Sequence, residues 1–217
     1  MKLVIWDFDG TLADTRPIIE AGMDHALGRL GLPPEVREEW LKYVGLPVEE
    51  GIRQTFGPLG LTVEEVLPVY RTFKHSEHEH LITGFDGMTE LLAELHRRGV
   101  RQAVASSKRS EPLRRQIAAL EWTTYFDPVI SPDEVSRPKP DPESIHVILA
   151  ALGAAPEDTV MVGDTPFDLE MAQRAGVKGV AVGHGFYGQR DLHAFSPMAY
   201  APDVAALRDV LLAWSGA

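Results

Sequence analysis

Two aspartates one residue apart, Asp7 and Asp9, follow the apolar run Leu3-Val4-Ile5-Trp6 and are followed at once by Gly10. The run predicts a short strand buried on both faces. The carboxylates therefore arrive at its C-terminal end, where open α/β sheets bind their ligands. Gly10 permits a tight turn that a side chain would hinder. Two like charges so close repel each other, and burial raises the cost, so a cation, a raised pKa on one acid, or both must relieve them. An aspartate in such a place can attack phosphorus to form an aspartyl-phosphate, and a carboxylate two residues on can carry the leaving group's proton. A solvated Asp-Gly turn at a strand end is the plainer alternative for these residues alone.

Three further segments carry residue types that such chemistry needs. Val104-Ala105-Ser106-Ser107-Lys108 ends an apolar run in two hydroxyls. Hydroxyls and backbone N–H groups bind phosphoryl oxygens without adding negative charge, although Ser-Ser at a strand end is equally an ordinary helix cap. Arg137-Pro138-Lys139-Pro140-Asp141-Pro142 sets a cation between prolines. The restricted backbone lets Lys139 be aimed with less entropy to lose, and a rigid surface turn is the alternative. Val160-Met161-Val162-Gly163-Asp164-Thr165-Pro166-Phe167-Asp168 repeats the opening logic of apolar run, glycine and acid. A carboxylate cluster without Cys or His suits a hard divalent ion, which takes oxygen ligands.

Taken in order, the four segments resemble the motifs of the haloacid dehalogenase-like hydrolase superfamily: D-x-D-G-T, a Ser or Thr after an apolar strand, a Lys in a K-P-x-P context, and G-D-x-x-x-D. The resemblance implies Asp7 as nucleophile and Asp9 as general acid/base. It implies Ser106 as the phosphate-binding hydroxyl, with Ser107 and Lys108 adding contacts, and Lys139 touching both the nucleophile and the phosphate. It also implies Mg2+ held by Asp7, by the backbone carbonyl of Asp9 and by Asp164, with Asp168 either a ligand through water or an anchor behind one.

A scaffold must bring these segments together. Strand patterns at 100–105, 126–130, 159–163 and 179–182 alternate with helical ones at 86–98, from Ser110, 141–152, 167–175 and 203–214. That alternation predicts a doubly wound, Rossmann-like parallel sheet with right-handed crossovers. Pro128 makes the limits of the second of those strands uncertain. Residues 15–81 show only helices and turns: Ile19, Met23, Leu27 and Leu30 at helical spacing, then Val36, Trp40, Leu41 and Val44, then a Thr62/Glu65 capping box before a helix that Pro68 should kink or divide. This block reads as an inserted all-α cap, with hinges near 13–16 and 80–84. The catalytic core is then 1–14 plus 82–217.

The helical cap between the first two motifs resembles the phosphoglycolate phosphatase-like branch of the superfamily. That implies a magnesium-dependent phosphatase acting on a small phosphorylated metabolite, a phosphoglycolate-like monoester. Gly45-Leu46-Pro47 resembles a loop that faces the active site in such enzymes, which makes Gly45 a candidate substrate contact; a plain turn is the alternative. Arg53 is a weaker candidate. The His75, His78 and His80 cluster reads as a solvated helix end, since its spacing converges poorly on a metal. His184 reads as part of a flexible loop. Asp9 argues against the dehalogenases, which lack that acid, and the cap lysines Lys42 and Lys74 lie in no context suited to an imine. A β-phosphoglucomutase-like phosphomutase and a non-catalytic binding protein on the same fold remain as alternatives.

Bulk properties bound the rest. The chain of 217 residues has a formal net charge of −11, which disfavours nucleic acid and anionic membranes as partners. It has no cysteine, and no signal peptide or membrane-length apolar run, which fits a cytoplasmic protein. Monomer and homodimer are equally open.

Overall fold

The computed structural model describes residues 1–216. The chain runs β1 (Leu3–Trp6), β2 (Ala13–Asp14), α1 (Arg16–Leu30), α2 (Val36–Leu41), α3 (Val48–Phe56), α4 (Val63–Arg71), β3 (Thr83–Gly84), α5 (Met88–Arg97), β4 (Arg101–Ala105), α6 (Ser110–Ala119) and β5 (Val129–Ile130). It continues with α7 (Glu143–Leu152), β6 (Thr159–Gly163), α8 (Pro166–Ala175), β7 (Lys178–Val182), α9 (Gln189–His193), β8 (Ala199–Ala201) and α10 (Val204–Ser215). Among these residues no helix is long and apolar enough to cross a membrane.

Six strands form one sheet in the order β5-β4-β1-β6-β7-β8, and every pairing is parallel. The two-residue period of a strand divides its side chains between the faces. Val4, Trp6, Val104, Val160 and Val162 join one buried cluster with Met88, Leu91, Leu113 and Leu207, from α5, α6 and α10. Leu3, Ile5, Ala103, Ala105 and Met161 join another with Ile145, Ile148 and Met171, from α7 and α8. The sheet is thus covered on both faces, as the expected doubly wound α/β architecture requires.

Sequence and structure differ at several elements. The strand expected over 126–130 is only Val129–Ile130. Pro128 lies just outside it, having no N–H to give the ladder. β8, a sixth strand confined between Pro197 and Pro202, is too short to show a period of its own. Pro68 does not divide α4, which runs through it to Arg71 behind an intact Thr62/Glu65 capping box. One lost hydrogen bond is tolerable where Val66, two residues before it, is fully buried.

The helices of 16–71 pack on their own cluster of Met23, Ala26, Leu27, Trp40, Ile52, Phe56 and Val66. Both ends of this block leave the sheet side by side, because β2 pairs antiparallel with β3 through Ala13↔Gly84 and Asp14↔Thr83. This small ribbon was not legible in the sequence; two residues per strand carry no pattern.

Candidate active site

Because β4, β1 and β6 are adjacent and parallel, the residues that follow them emerge along one edge. Asp7 follows β1, Ser106 follows β4, and Asp164 follows β6, so the hydroxyl and the second acid flank the first. Lys139 reaches the same place from the loop between β5 and α7. All four are buried: Asp7 is 2% exposed, Ser106 6%, Lys139 5% and Asp164 0%.

The Lys139 ammonium donates to Asp7 Oδ1 at 2.7 Å and to Asp168 Oδ1 at 2.6 Å. Asp168 is held in turn by Thr165, whose backbone N–H and hydroxyl donate to Oδ2 at 3.1 and 2.7 Å. This is a helix cap at the start of α8, with Thr165 and Asp168 satisfying each other's backbone N–H groups. Asp164 accepts from the Thr11 hydroxyl at 2.8 Å and from the Phe186 N–H at 2.7 Å.

The backbone closes tightly around Asp164. A Cβ on Gly10, whose φ is +78°, would lie 2.5 Å from Asp164 Oδ2, and one on Gly185 would lie 2.2 Å from it. Glycine is therefore needed at position 10 for both conformation and space.

Oxygens of Asp7, Asp164 and Asp168 all lie within 4.8 Å of one another. Among the described residues one ammonium, Lys139, meets two of these three buried acids, and the imbalance shows in the protonation of Asp7 and Asp164. Burial pushes the Asp7 carboxyl up to about 7; Lys139 pulls against that rise and Asp168 adds to it. Asp164 is raised well above the ordinary carboxylate range, first by burial and then by Asp168 and Asp7. For Lys139, burial alone would lower the pKa, but Asp168 and Asp7 outweigh it and keep the ammonium charged. An all-oxygen, net-negative pocket of this kind fits a hard divalent cation such as Mg2+, which would supply the missing positive charge.

Asp9 turns elsewhere. Its Oδ1 accepts from Lys108 Nζ at 2.5 Å, and the same ammonium donates to Gln116 Oε1 at 2.8 Å. The Asp9 side chain thus stands outside the carboxylate cluster, which leaves only its backbone carbonyl for a metal. Ser106 Oγ accepts from the Lys108 N–H at 3.2 Å. Ser107, expected to add contacts to the phosphate, donates its hydroxyl to the Gly45 carbonyl at 2.7 Å. It joins the helical block to the sheet edge.

Asp7, Asp9, Ser106 and Ser107 border a cavity of about 550 Å3 that the helical block roofs, with Gly45, Leu46 and Pro47 in its lining. Gly45 has a φ of +106° and lies so close to Thr165 that a Cβ there would approach it to 2.8 Å. Arg53 does not border the cavity; it is exposed and paired with Glu50.

The histidines correct two expectations. His75 is half-buried rather than solvated, bordering the cavity with its ring against Tyr70 and Phe73 at 5.0 and 4.8 Å. Aromatic packing holds it there, and the run of charges around it conceals that. His184 is not on a loose loop: its Nε2 donates to the Thr11 carbonyl at 3.0 Å and its ring packs on Phe85 at 4.2 Å. Burial lowers the pKa of both rings.

Sequence reasoning passed over Thr11, Thr165 and Gln116 as site residues. The T-x-x-D cap at Thr165 was a readable signal; Gln116, distant in sequence and inside a helix pattern, gave none.

Residues 4–182 match the haloacid dehalogenase-like hydrolase family. The pyrophosphatase PpaX of Bacillus velezensis is 31% identical over 195 residues, which cover 89% of this chain and 88% of the relative. A haloacid dehalogenase-like family hydrolase from Streptococcus pneumoniae superposes with a TM-score of 0.83 over 99% of this chain and 98% of its own, at 23% identity. A hydrolase from Pseudomonas syringae gives 0.84 over 97% and 98%, at 22% identity. At those identities the two solved structures speak for the fold alone.

Proposed function

The chain belongs to the haloacid dehalogenase-like hydrolases, and from that membership and the site geometry we propose that it is a magnesium-dependent phosphatase working through an aspartyl-phosphate. The observation that carries this reading is the buried Lys139 bridge between Asp7 and Asp168, with Asp164 beside it, where Asp7 borders a substrate-sized cavity. In this reading 1–14 and 82–217 form the catalytic core, and 15–81 form a cap that closes over the substrate.

Asp7, Asp164 and the Asp9 carbonyl would hold Mg2+, which offsets charge on the phosphoryl oxygens. Asp168 acts by fixing Lys139 rather than as a direct ligand, since both its oxygens already have donors. An Asp7 carboxylate oxygen attacks phosphorus as the ester P–O bond breaks, and Asp9 gives its proton to the departing alkoxide. Lys139 keeps the attacking carboxylate oriented and shares the charge that gathers on the phosphoryl group. The Ser106 hydroxyl donates to one of its oxygens. Asp9, now a carboxylate, takes a proton from water as that water attacks the aspartyl-phosphate, which frees Asp7 and orthophosphate. Every proton is returned at the end of the cycle.

The test is orthophosphate release from a generic aryl phosphate with and without Mg2+, in the native chain and in Asp7→Asn. Release that needs Mg2+ and disappears in a folded Asp7→Asn variant supports the reading. Undiminished turnover by that variant rules it out. Pyrophosphate, the substrate in the name of the PpaX relative, belongs in the same assay.

A further inference from the structure

The cavity above Asp7 and Asp9 holds more than a phosphate site. Its volume, about 550 Å3, falls in the range of roughly 300–1,000 Å3 typical of pockets for organic ligands. Much of the wall is apolar and aromatic. Ile18, Ile19 and Met23 come from α1, Trp40 from α2, and Tyr43 and Leu46 from the loop that follows it.

Charge on the walls is already matched. Lys108 pairs with Asp9 at 2.5 Å, Arg71 with Glu49 at 3.0 Å, and Arg109 with Asp133 at 3.4 Å, and all of these residues border the same cavity. His75 adds no charge near neutrality, because burial depresses its pKa and its ring nitrogens meet the Phe73 carbonyl and the Tyr70 hydroxyl. A second phosphate or a carboxylate on the leaving group would have to compete with Glu49 for Arg71 and with Asp133 for Arg109, and Lys108, which loses its carboxylate partner when Asp9 is protonated, stands at the phosphate end beside Ser106 and Gln116. Burying an anion without a partner is costly. An apolar group entering the same space gains from leaving water.

We propose that the substrate is a phosphomonoester whose departing alcohol or phenol is neutral and largely apolar, seated against Ile19, Met23, Trp40 and Tyr43. The proposal rests on the phosphatase reading above. It departs from both the phosphoglycolate-like substrate expected from the cap position and the pyrophosphate of the relative's name, since each of those leaving groups carries negative charge.

The experiment compares kcat/KM of the native chain, with Mg2+, for benzyl phosphate, 4-carboxybenzyl phosphate, phosphoglycolate and pyrophosphate. Benzyl phosphate and its 4-carboxy analogue depart as closely similar alkoxides, so their ratio reads the cost of the added charge. Benzyl phosphate should exceed each of the other three by about tenfold or more, the scale on which a pocket of one polarity discriminates. Ile19→Lys, which adds an unmatched cation to the wall, should shrink or invert the benzyl/carboxybenzyl ratio. If the anionic substrates are turned over as well as or better than benzyl phosphate, the proposal is overturned while the phosphatase reading stands. If none of the four, nor a generic aryl phosphate, releases orthophosphate, both fall together. The native-chain comparison decides the matter even if Ile19→Lys fails to fold.

Discussion

Lys139 Nζ lies 2.7 Å from Asp7 Oδ1 across 132 residues of chain, and both groups are almost wholly withdrawn from water. A buried ion pair of this kind contributes little net stability against an apolar replacement, but losing one partner leaves an uncompensated charge. Lys139→Met strands both Asp7 and Asp168. It should abolish phosphate release and destabilise the metal-free protein by about 3–5 kcal/mol near pH 8. Urea unfolding at matched pH measures the loss, and a variant as stable as the native chain would show that the bridge is not formed in solution.

Protonation of the acidic cluster sets a pH dependence whose sign can be worked out. The folded Asp7 titrates near 7 against an ordinary value of 3.8, and Asp164 is displaced in the same direction. Between the two values the folded form binds more protons than the unfolded one, so stability falls as pH rises. His75 and His184, whose pKa values lie below the ordinary 6.5, add a slope of opposite sign that fades as pH climbs above that value and leaves the acids to dominate the upper part of the range. In chelator, the melting temperature should fall between about pH 6.5 and 8.5, and Mg2+ should restore more of it at the upper end than at the lower. Calorimetry with and without chelator checks both slopes, and a melting temperature that rises through this window contradicts the assignment.

Asp9 and Lys108 should behave as one unit. Asp9→Asn is expected to lower kcat by about 10²–10⁴, the usual contribution of a positioned acid/base. Lys108→Met, which releases the carboxylate from its 2.5 Å contact, should lower kcat less and leave KM for a phosphomonoester with a neutral leaving group nearly unchanged. The double variant should be no worse than Asp9→Asn alone, because the second change removes only what the first has already disabled. Steady-state kinetics on the three variants forms the cycle, and additive losses would mean that Lys108 acts on substrate directly.

Glycines in the chain separate cleanly by what surrounds them. Gly10→Ala places a Cβ 2.5 Å from Asp164 Oδ2 at a φ of +78°, whereas Gly28, inside α1, has nothing within 4 Å of such an atom. The first substitution should cost about 2 kcal/mol or more, lowering the melting temperature by roughly 4–8 °C and impairing turnover. Gly28→Ala should instead raise stability by roughly 0.5–1 kcal/mol through better helix propensity, with activity unaltered. Thermal melts of the pair read the contrast directly, and a tolerated Gly10→Ala would mean that the turn is looser than it stands here.

Much of the candidate site's edge was legible because its signals are local. Asp7 and Ser106 directly follow apolar runs and Asp164 follows one after Gly163, and such continuous runs form strands buried on both faces whose ends are ligand sites. The helical block from Arg16 onward was legible in the same way, from apolar spacing and from the capping box at Thr62 and Glu65. The β2–β3 ribbon and β8 were not, because two or three residues show no period and are specified by the partner strand alone. The half-buried His75 was misjudged for a related reason: its surroundings, Tyr70 and Phe73, matter only once the chain has turned them onto it.

The sequence by itself determined which chemical groups this protein owns and that they stand at strand ends, since residue type and periodicity act over a few positions. Tertiary structure decided which of them meet. Lys139 meets Asp7 and Asp168, Lys108 takes Asp9, and Ser107 turns to Gly45. The matching of each cavity cation to its own acid was also settled there. Those pairings depend on distances between segments far apart in the chain, and no local pattern carries a distance.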